Sequence, residues 1–277
     1  MNKIGIIGNP LSHTLSPNIH DSAIKHFGLD LSFEKWELEK KELKSFFLNA
    51  KKNNVVGGCV TVPHKENVLE YLDLYDDSVK RIGAANWFKI ENDRIRGFNT
   101  DYIGFEKSIP ENILNNLSEI NCVVFGSGGS AKAVVEALFL KNAQNICIIN
   151  RTFSKAKEIS NKYSNSRISS QKLDSIDSVK NELKTADLII NTTSVGMGSG
   201  PQPDGNLLKN YELKNNVTGI DLVYSPKKTP FLKNISEFGG QAINGIDMLI
   251  YQAQAGFKIL TDNNCPFEIM KSALKLD

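Results

Sequence analysis

Long apolar runs are missing from this 277-residue chain. No stretch approaches the roughly 20 apolar residues of a membrane span, so no membrane partner is expected. The N-terminal run Ile4-Gly5-Ile6-Ile7 stops at Asn9-Pro10 and is too short for a signal peptide. An excess of one charge is missing as well. With 33 basic and 31 acidic residues the formal net charge is +2, which gives no reason to expect nucleic acid. Pairs such as Lys40-Lys41, Lys51-Lys52 and Lys227-Lys228 read as solvated faces. Paired cysteines are also lacking: Cys59, Cys122, Cys147 and Cys265 show no metal-ligand spacing and sit mainly in apolar, strand-like runs. They read as buried thiols of a reducing cytosol, which makes the protein cytoplasmic. Four scattered histidines offer no metal site, and there are neither internal repeats nor low-complexity tracts.

What is present is an alternation of strand and helix, the mark of an α/β chain with largely parallel sheets. The length allows two domains. Ile4 to Gly8 is a strand, and Ser16-Pro17 opens a helix with Ser16 as N-cap, ending near Gly28. Leu31 to Glu37 is a strand, Lys40 to Lys52 an amphipathic helix, and Val55 to Val62 a strand stopped by Pro63. Ala85 to Ile90 and Arg94 to Phe98 form a hairpin around Glu91-Asn92-Asp93. Pro110 and Asn115-Asn116 mark a boundary. Beyond it come strand Asn121 to Phe125, helix Ala131 to Leu140, and strands Ile146 to Asn150, Leu188 to Asn191 and Gly219 to Val223. Gly245 to Asp277 reads as two helices.

Gly126-Ser127-Gly128-Gly129-Ser130-Ala131 follows a strand and opens a helix, matching G-x-G-x-x-A. Gly126 permits the tight turn, Gly128 lets the backbone approach a pyrophosphate, and Ala131 allows close helix–strand packing. The helix N-terminus presents free N–H groups to phosphate. The bland alternative is an ordinary glycine-rich turn, which the strand-helix-strand context disfavours. The next strand ends at Asn150-Arg151-Thr152, with Lys155 one turn on. An NAD site favours an acidic residue here, whereas a guanidinium suits a ribose 2′-phosphate. Positive charge at a helix N-terminus opposes the helix dipole, which argues against a merely solvated helix start. The expected cofactor is therefore NADP(H).

In the first half, Ser12-His13-Thr14-Leu15-Ser16-Pro17, Val60-Thr61-Val62-Pro63-His64-Lys65 and Asn99-Thr100-Asp101 each place polar groups after a strand. Taken singly they have ordinary readings: Ser16 a helix cap, Lys65 a surface lysine in a first helical turn, Asp101 a cap of the next helix. Taken with Gly83-Ala84-Ala85-Asn86, Gly126 to Ala133, Asn191 to Met197, Asp221 to Tyr224, Thr229-Pro230 and Gly245 to Leu249 with Gln252, the chain resembles the shikimate dehydrogenase family, which includes shikimate/quinate dehydrogenases. The match runs the length of the chain.

The resemblance implies NADPH-dependent reduction of 3-dehydroshikimate to shikimate. It implies an N-terminal three-layer α/β substrate domain, residues 1–103, completed by C-terminal helices 245–277 packing back on it. A Rossmann-type NADP-binding domain would occupy 104–244, with substrate in the cleft between domains. Lys65 and Asp101 would be catalytic. Thr14, Ser16, Thr61, Asn86, Tyr224 and Gln252 would hold the substrate. Gly126, Ser127, Gly128, Gly129, Ser130, Ala131, Asn150, Arg151, Thr152 and Lys155 would bind cofactor, with Thr192, Ser194, Met197 and Gly245. The chemistry is consistent: a carbonyl receiving hydride becomes an alkoxide, and a lysine ammonium supplies both charge and proton. Lys65 is read first as positioned charge and donor, and second as a titrating base. Four positions depart from the family's usual pattern: Thr14 for serine, Trp87 for threonine, Asp247 for glycine and Leu260 for tryptophan. Strand alternation puts Trp87 on the face opposite Asn86, hence in the core. Competing readings are a paralogue acting on quinate or an aminated shikimate, and a non-catalytic NADP(H)-binding sensor. A monomer or homodimer is expected.

Overall fold

Residues 1–163 and 166–274 are described by the computed structural model of the chain. They divide into two compact units, Met1–Phe105 with Leu249–Asp277, and Glu106–Met248. The first contains β1 (Asn2–Gly8), α1 (Ser16–Phe27), β2 (Leu31–Glu37), α2 (Leu43–Asn49), β3 (Val55–Val60), β4 (Leu74–Tyr75), α3 (Asp77–Ile82), β5 (Trp87–Glu91), β6 (Arg94–Phe98) and the start of α4 (Asp101–Ser108). The second contains α5 (Glu111–Leu114), β7 (Asn121–Phe125), α6 (Gly129–Leu140), β8 (Asn145–Asn150), α7 (Phe153–Lys162), β9 (Ile168–Lys172), α8 (Ile176–Thr185), β10 (Leu188–Asn191), β11 (Thr218–Asp221), α9 (Pro230–Glu237) and β12 (Gln241–Asn244). Helix α10 (Ile246–Thr261) leads back to the first unit, which α11 (Phe267–Ser272) completes. There Ser22 Oγ on α1 donates to Ile269 O at 3.3 Å, so the C-terminal helices pack on the N-terminal unit, as the resemblance implies.

The first sheet has the order β2-β1-β3-β5-β6-β4. Strands β2, β1 and β3 are parallel, and β5 runs antiparallel to both neighbours. The β5–β6 turn is Asn92-Asp93 with φ of 48° and 63°, the left-handed pair whose twist suits a two-residue hairpin. Because strand side chains alternate, the sheet has two apolar faces. Ile7, Val60 and Phe88 cluster with Leu43 and Phe47 of α2 and Val79 of α3. Ile6, Cys59 and Trp87 cluster with Leu11, Phe33 and Leu260 of α10. Two cores on one sheet make the three layers.

The second sheet is parallel throughout in the order β12-β11-β10-β7-β8-β9. Strand order reverses between β7 and β10, the switch point where doubly wound sheets bind dinucleotides. Several expected boundaries shift, among them the strand expected over Ala85 to Ile90, which is Trp87–Glu91. The helix expected over Lys40 to Lys52 is a 3₁₀ turn, Lys40–Glu42, held by reciprocal Glu39 and Glu42 caps, followed by the shorter α2. Strand β3 stops at Val60 because the chain turns before Pro63, which has no N–H for a ladder. Strand β11 spans Thr218–Asp221, since Asp221 folds its own side chain onto the Val223 N–H.

Candidate active site

Lys65 sits in the turn after β3, ahead of a 3₁₀ segment, Asn67–Tyr71. Two anchors fix that turn. Ala85 N donates to Lys65 O at 2.8 Å, and the buried His64 places Nε2 2.7 Å from Leu38 O, with Nδ1 3.3 Å from Asn67 Nδ2. A carbonyl only accepts, so Nε2 carries the proton there. Lys65 is not a surface lysine: its side chain is 14% exposed and its Nζ lies 2.5 Å from Asp101 Oδ2, itself 5% exposed.

Asp101 opens α4, yet its carboxylate does not cap the helix. Asn99 Oδ1 takes the Asp101 N–H at 3.0 Å instead. The carboxylate is left to bind Lys65 through Oδ2 and Asn86 Nδ2 through Oδ1 at 2.7 Å. Ser16 repeats the arrangement and corrects the expected cap. Leu15 occupies the N-cap position, and Ser16 is the first residue of α1. Thr14 Oγ1 accepts the Ser16 N–H at 3.3 Å and donates to Ser16 Oγ at 3.2 Å. Short polar side chains capture the N–H two residues on. Here that frees the next functional group from capping.

Asn86 and Gln252 complete this constellation. Asn86 Oδ1 accepts the Thr100 N–H at 2.7 Å, and Thr100 Oγ1 donates to Gln252 O at 2.9 Å. Asn86 Nδ2 also reaches Gln252 Oε1 at 3.2 Å. Thr61, half-buried, follows β3 and donates its N–H to Ile7 O at 2.8 Å. Lys65, Asp101, Thr14, Ser16, Thr61, Asn86 and Gln252 thus all belong to the first unit, whereas Tyr224 follows β11 in the second. Sequence reasoning did not single out Asn99 and Thr100 as supports. The available signal was asparagine two residues before an aspartate at a helix start. Cys59 lies near this group, and burial pushes its thiol up to about 12, which makes it inert as a nucleophile. All four cysteines are free and buried, as expected.

Trp87 faces the core and is fully buried. It shares one apolar cluster with Leu260, so two departures from the family pattern pack together. Asp247, a third, lies in the first turn of α10.

In the second unit, Gly126 has φ of 113°, and a Cβ there would collide with Thr192 Oγ1, so glycine is required. The hydrogen of Gly128 faces open space at the N-terminus of the twelve-residue α6, while Ala131 is fully buried. Ser127, Gly129 and Ser130 are half-buried beside it. An exposed backbone cradle at a helix N-terminus fits a pyrophosphate. Asn150 ends β8 and donates from Nδ2 to Thr152 O at 2.9 Å. Arg151, Thr152 and Lys155 are exposed at the start of α7, and neither basic side chain has an ion pair among the described residues.

The turn after β10 is organised by Asn191. Its Oδ1 accepts from Thr193 N and Oγ1, and its Nδ2 donates to Val195 O and Asp221 Oδ1. That turn presents Thr192, Ser194 and Met197 half-buried. Burial pushes the Asp221 carboxyl up to about 6, against donors from Thr229, Val223 and Asn191. Gly245 is packed on the Leu222 backbone with no room for a Cβ. Among the described residues no group of His, Cys, Asp and Glu could hold a metal, and no helix is long and apolar enough to cross a membrane.

Comparisons with known proteins meet this geometry from outside. Residues 6–88 match the shikimate dehydrogenase substrate binding domain, 108–197 shikimate / quinate 5-dehydrogenase, and 245–275 the shikimate 5'-dehydrogenase C-terminal domain. A shikimate dehydrogenase (NADP(+)) of Methanococcus aeolicus is 39% identical, covering 98% of this chain and 96% of its own. A crystal structure of a shikimate dehydrogenase in complex with NADP+ has a TM-score of 0.88 at 35% identity, covering 99% of this chain and 94% of its own. A shikimate 5-dehydrogenase of Thermus thermophilus in complex with shikimate has a TM-score of 0.83 at 27% identity, covering 99% and 98%.

Proposed function

The chain belongs to the shikimate dehydrogenase family, and from that premise we propose that Lys65 and Asp101 are its catalytic pair. The enzyme is an NADP-dependent oxidoreductase that reversibly reduces 3-dehydroshikimate to shikimate, a step of chorismate and aromatic amino acid biosynthesis. NADPH, when bound, supplies the hydride. The residues of the chain bind, orient and manage charge around that transfer. As the substrate carbonyl oxygen gains negative charge, the Lys65 ammonium donates a hydrogen bond and then a proton to it. Asp101 is held by Asn86 and holds Lys65 in turn, so the ammonium keeps one position. Thr14, Ser16, Thr61, Asn86, Gln252 and Tyr224 bind the ring hydroxyls and carboxylate.

The α6 N-terminus with Gly126, Ser127, Gly128, Gly129, Ser130 and Ala131 takes the pyrophosphate. Asn150, Arg151, Thr152 and Lys155 take the adenosine ribose and its 2′-phosphate. Thr192, Ser194, Met197 and Gly245 would hold the nicotinamide end. The first unit is the substrate domain and the second the cofactor domain. The protein works in the cytoplasm as a monomer or homodimer.

The observation that carries this reading is a lysine ammonium and a carboxylate paired at 2.5 Å with little exposure. Structural ion pairs at a surface lack such burial. The test is NADP+ reduction with shikimate and quinate in parallel, repeated with NAD+. The expected order of kcat/KM is shikimate with NADP+ first. No turnover of shikimate by folded protein that binds NADPH would favour the sensor reading.

A further inference from the structure

Trp87 is the bulkiest departure from the family pattern, and its polar atom has a specific partner. The indole Nε1 donates to Gln252 Oε1 at 3.3 Å, across 165 residues of chain. We propose that Trp87 is a positioning residue, whose indole N–H locks the Gln252 amide so that Gln252 meets substrate as a hydrogen-bond donor. The inference rests on the reading that Gln252 binds substrate.

An indole N–H can donate and never accept. The Gln252 atom facing it is therefore the oxygen, whichever way the amide is first drawn. Asn86 approaches the same oxygen through Nδ2 at 3.2 Å. Its own orientation is fixed, because Oδ1 accepts the Thr100 backbone N–H, again from a group that only donates. Asn86 Nδ2 has two hydrogens for three acceptors: Asp101 Oδ1 at 2.7 Å, Thr100 Oγ1 at 3.1 Å and Gln252 Oε1 at 3.2 Å. Its contact with Gln252 is therefore a shared one, and the indole N–H is the donor that fixes the amide. Gln252 Nε2 gives one hydrogen to Leu249 O at 2.8 Å. Its second hydrogen is the one polar group of this half-buried side chain left without a partner among the described residues. What it can bind is an oxygen acceptor, a substrate carboxylate or hydroxyl. Threonine at position 87 would not enforce this, because a hydroxyl both donates and accepts and leaves either amide orientation open.

The indole is itself held still. A Cβ on Gly256 of α10 would fall inside its ring, and His20 meets it edge-on with centroids 5.3 Å apart. Trp87 thus acts from the core, through Gln252, without touching substrate.

The test compares wild type, Trp87→Phe, Gln252→Leu, the double variant and Gln252→Glu, with circular dichroism confirming folding. Trp87→Phe keeps an aromatic ring in the core, though a smaller one, and deletes the N–H. It is expected to raise the KM for shikimate about three- to tenfold, the range for one neutral hydrogen bond. Its kcat stays within about twofold, and the KM for NADP+ is unchanged, since uniform binding alone is lost. In the Gln252→Leu background the same change adds nothing, because the interaction it removes is already gone. Gln252→Glu keeps oxygens for Trp87 and Asn86 but has no N–H to offer, and loses shikimate affinity at least as far as Gln252→Leu. An unchanged KM in folded Trp87→Phe overturns the proposal, as does an equal rise in the Gln252→Leu background. Should Trp87→Phe fail to fold, a wild-type KM in Gln252→Glu overturns it alone. Wild type without shikimate turnover sinks the functional reading. An active wild type with Gln252→Leu unaltered removes Gln252 from the substrate site and this inference with it, whereas Gln252→Leu impaired and Trp87→Phe unaltered sinks only this inference.

Discussion

At the scale of single residues, one local device recurs at the turns that carry the candidate site residues. A side-chain oxygen captures the N–H two residues on: Thr14 for Ser16, Asn99 for Asp101, Asn191 for Thr193, Asn244 for Ile246. Each satisfies a backbone donor that the following turn or helix cannot pair. Asp101 is the clearest gain, since its carboxylate is then available to Lys65. Replacing that lysine with methionine keeps the aliphatic stem and removes charge and proton. Lys65→Met is expected to lower kcat by about 10² to 10⁴, the usual weight of a positioned acid, with a much smaller change in KM. Steady-state kinetics with shikimate and NADP+ checks this. A large KM rise at constant kcat would reduce Lys65 to a binding group.

At the scale of elements, the cofactor as proposed is divided between the β7–α6 and β8–α7 turns. The first offers backbone: Gly126 in the left-handed region and Gly128 open to solvent. The second offers charge: Arg151 and Lys155, exposed at the start of a helix whose dipole disfavours them. On the proposed reading, the cofactor's 2′-phosphate is the anion that offsets this cost. Arg151→Ala is expected to raise the KM for NADP+ about 10- to 100-fold, the range for a charge-assisted hydrogen bond, while the KM for NAD+ stays put. Parallel titrations of the two cofactors decide it, and equal losses would assign Arg151 to the pyrophosphate or to folding.

At the scale of the whole molecule, the same core that positions Trp87 sets an acid limit on stability. His20 of α1 is fully buried, stacks on Phe33 with centroids 4.7 Å apart, and has no hydrogen-bond partner for either ring nitrogen among the described residues. Burial lowers its pKa from 6.5 to about 3. The folded chain keeps the imidazole neutral, whereas the unfolded chain protonates it below pH 6.5. Stability is therefore fully present above that value and falls as pH drops from 6.5 toward 3, by up to about 1.4 kcal/mol per pH unit. Urea unfolding at pH 8 and at pH 4.5 measures it. His20→Phe is expected to flatten this slope while changing stability little at pH 8. An equal slope in both proteins would move the acid sensitivity elsewhere.

Much of this was written in local sequence. Strands Leu31–Glu37, Asn121–Phe125 and Leu188–Asn191, the Asn92-Asp93 hairpin and the glycine turn after β7 need only near neighbours to declare themselves. Apolar alternation, turn residues and glycine spacing act over a few positions. The edge strands β4, β9 and β12 carry no such mark, since two are partly polar and one is two residues long. They exist because a neighbouring strand offers its backbone. The sequence by itself also determined the kinds of group in play: an ammonium, a carboxylate, a glycine turn opening a helix and basic residues after β8. Tertiary structure decided their pairing. Lys65 meets Asp101 across 36 residues and Trp87 meets Gln252 across 165. Hydrogen-bond direction and burial are properties of neighbours in space, and chain order does not encode them locally.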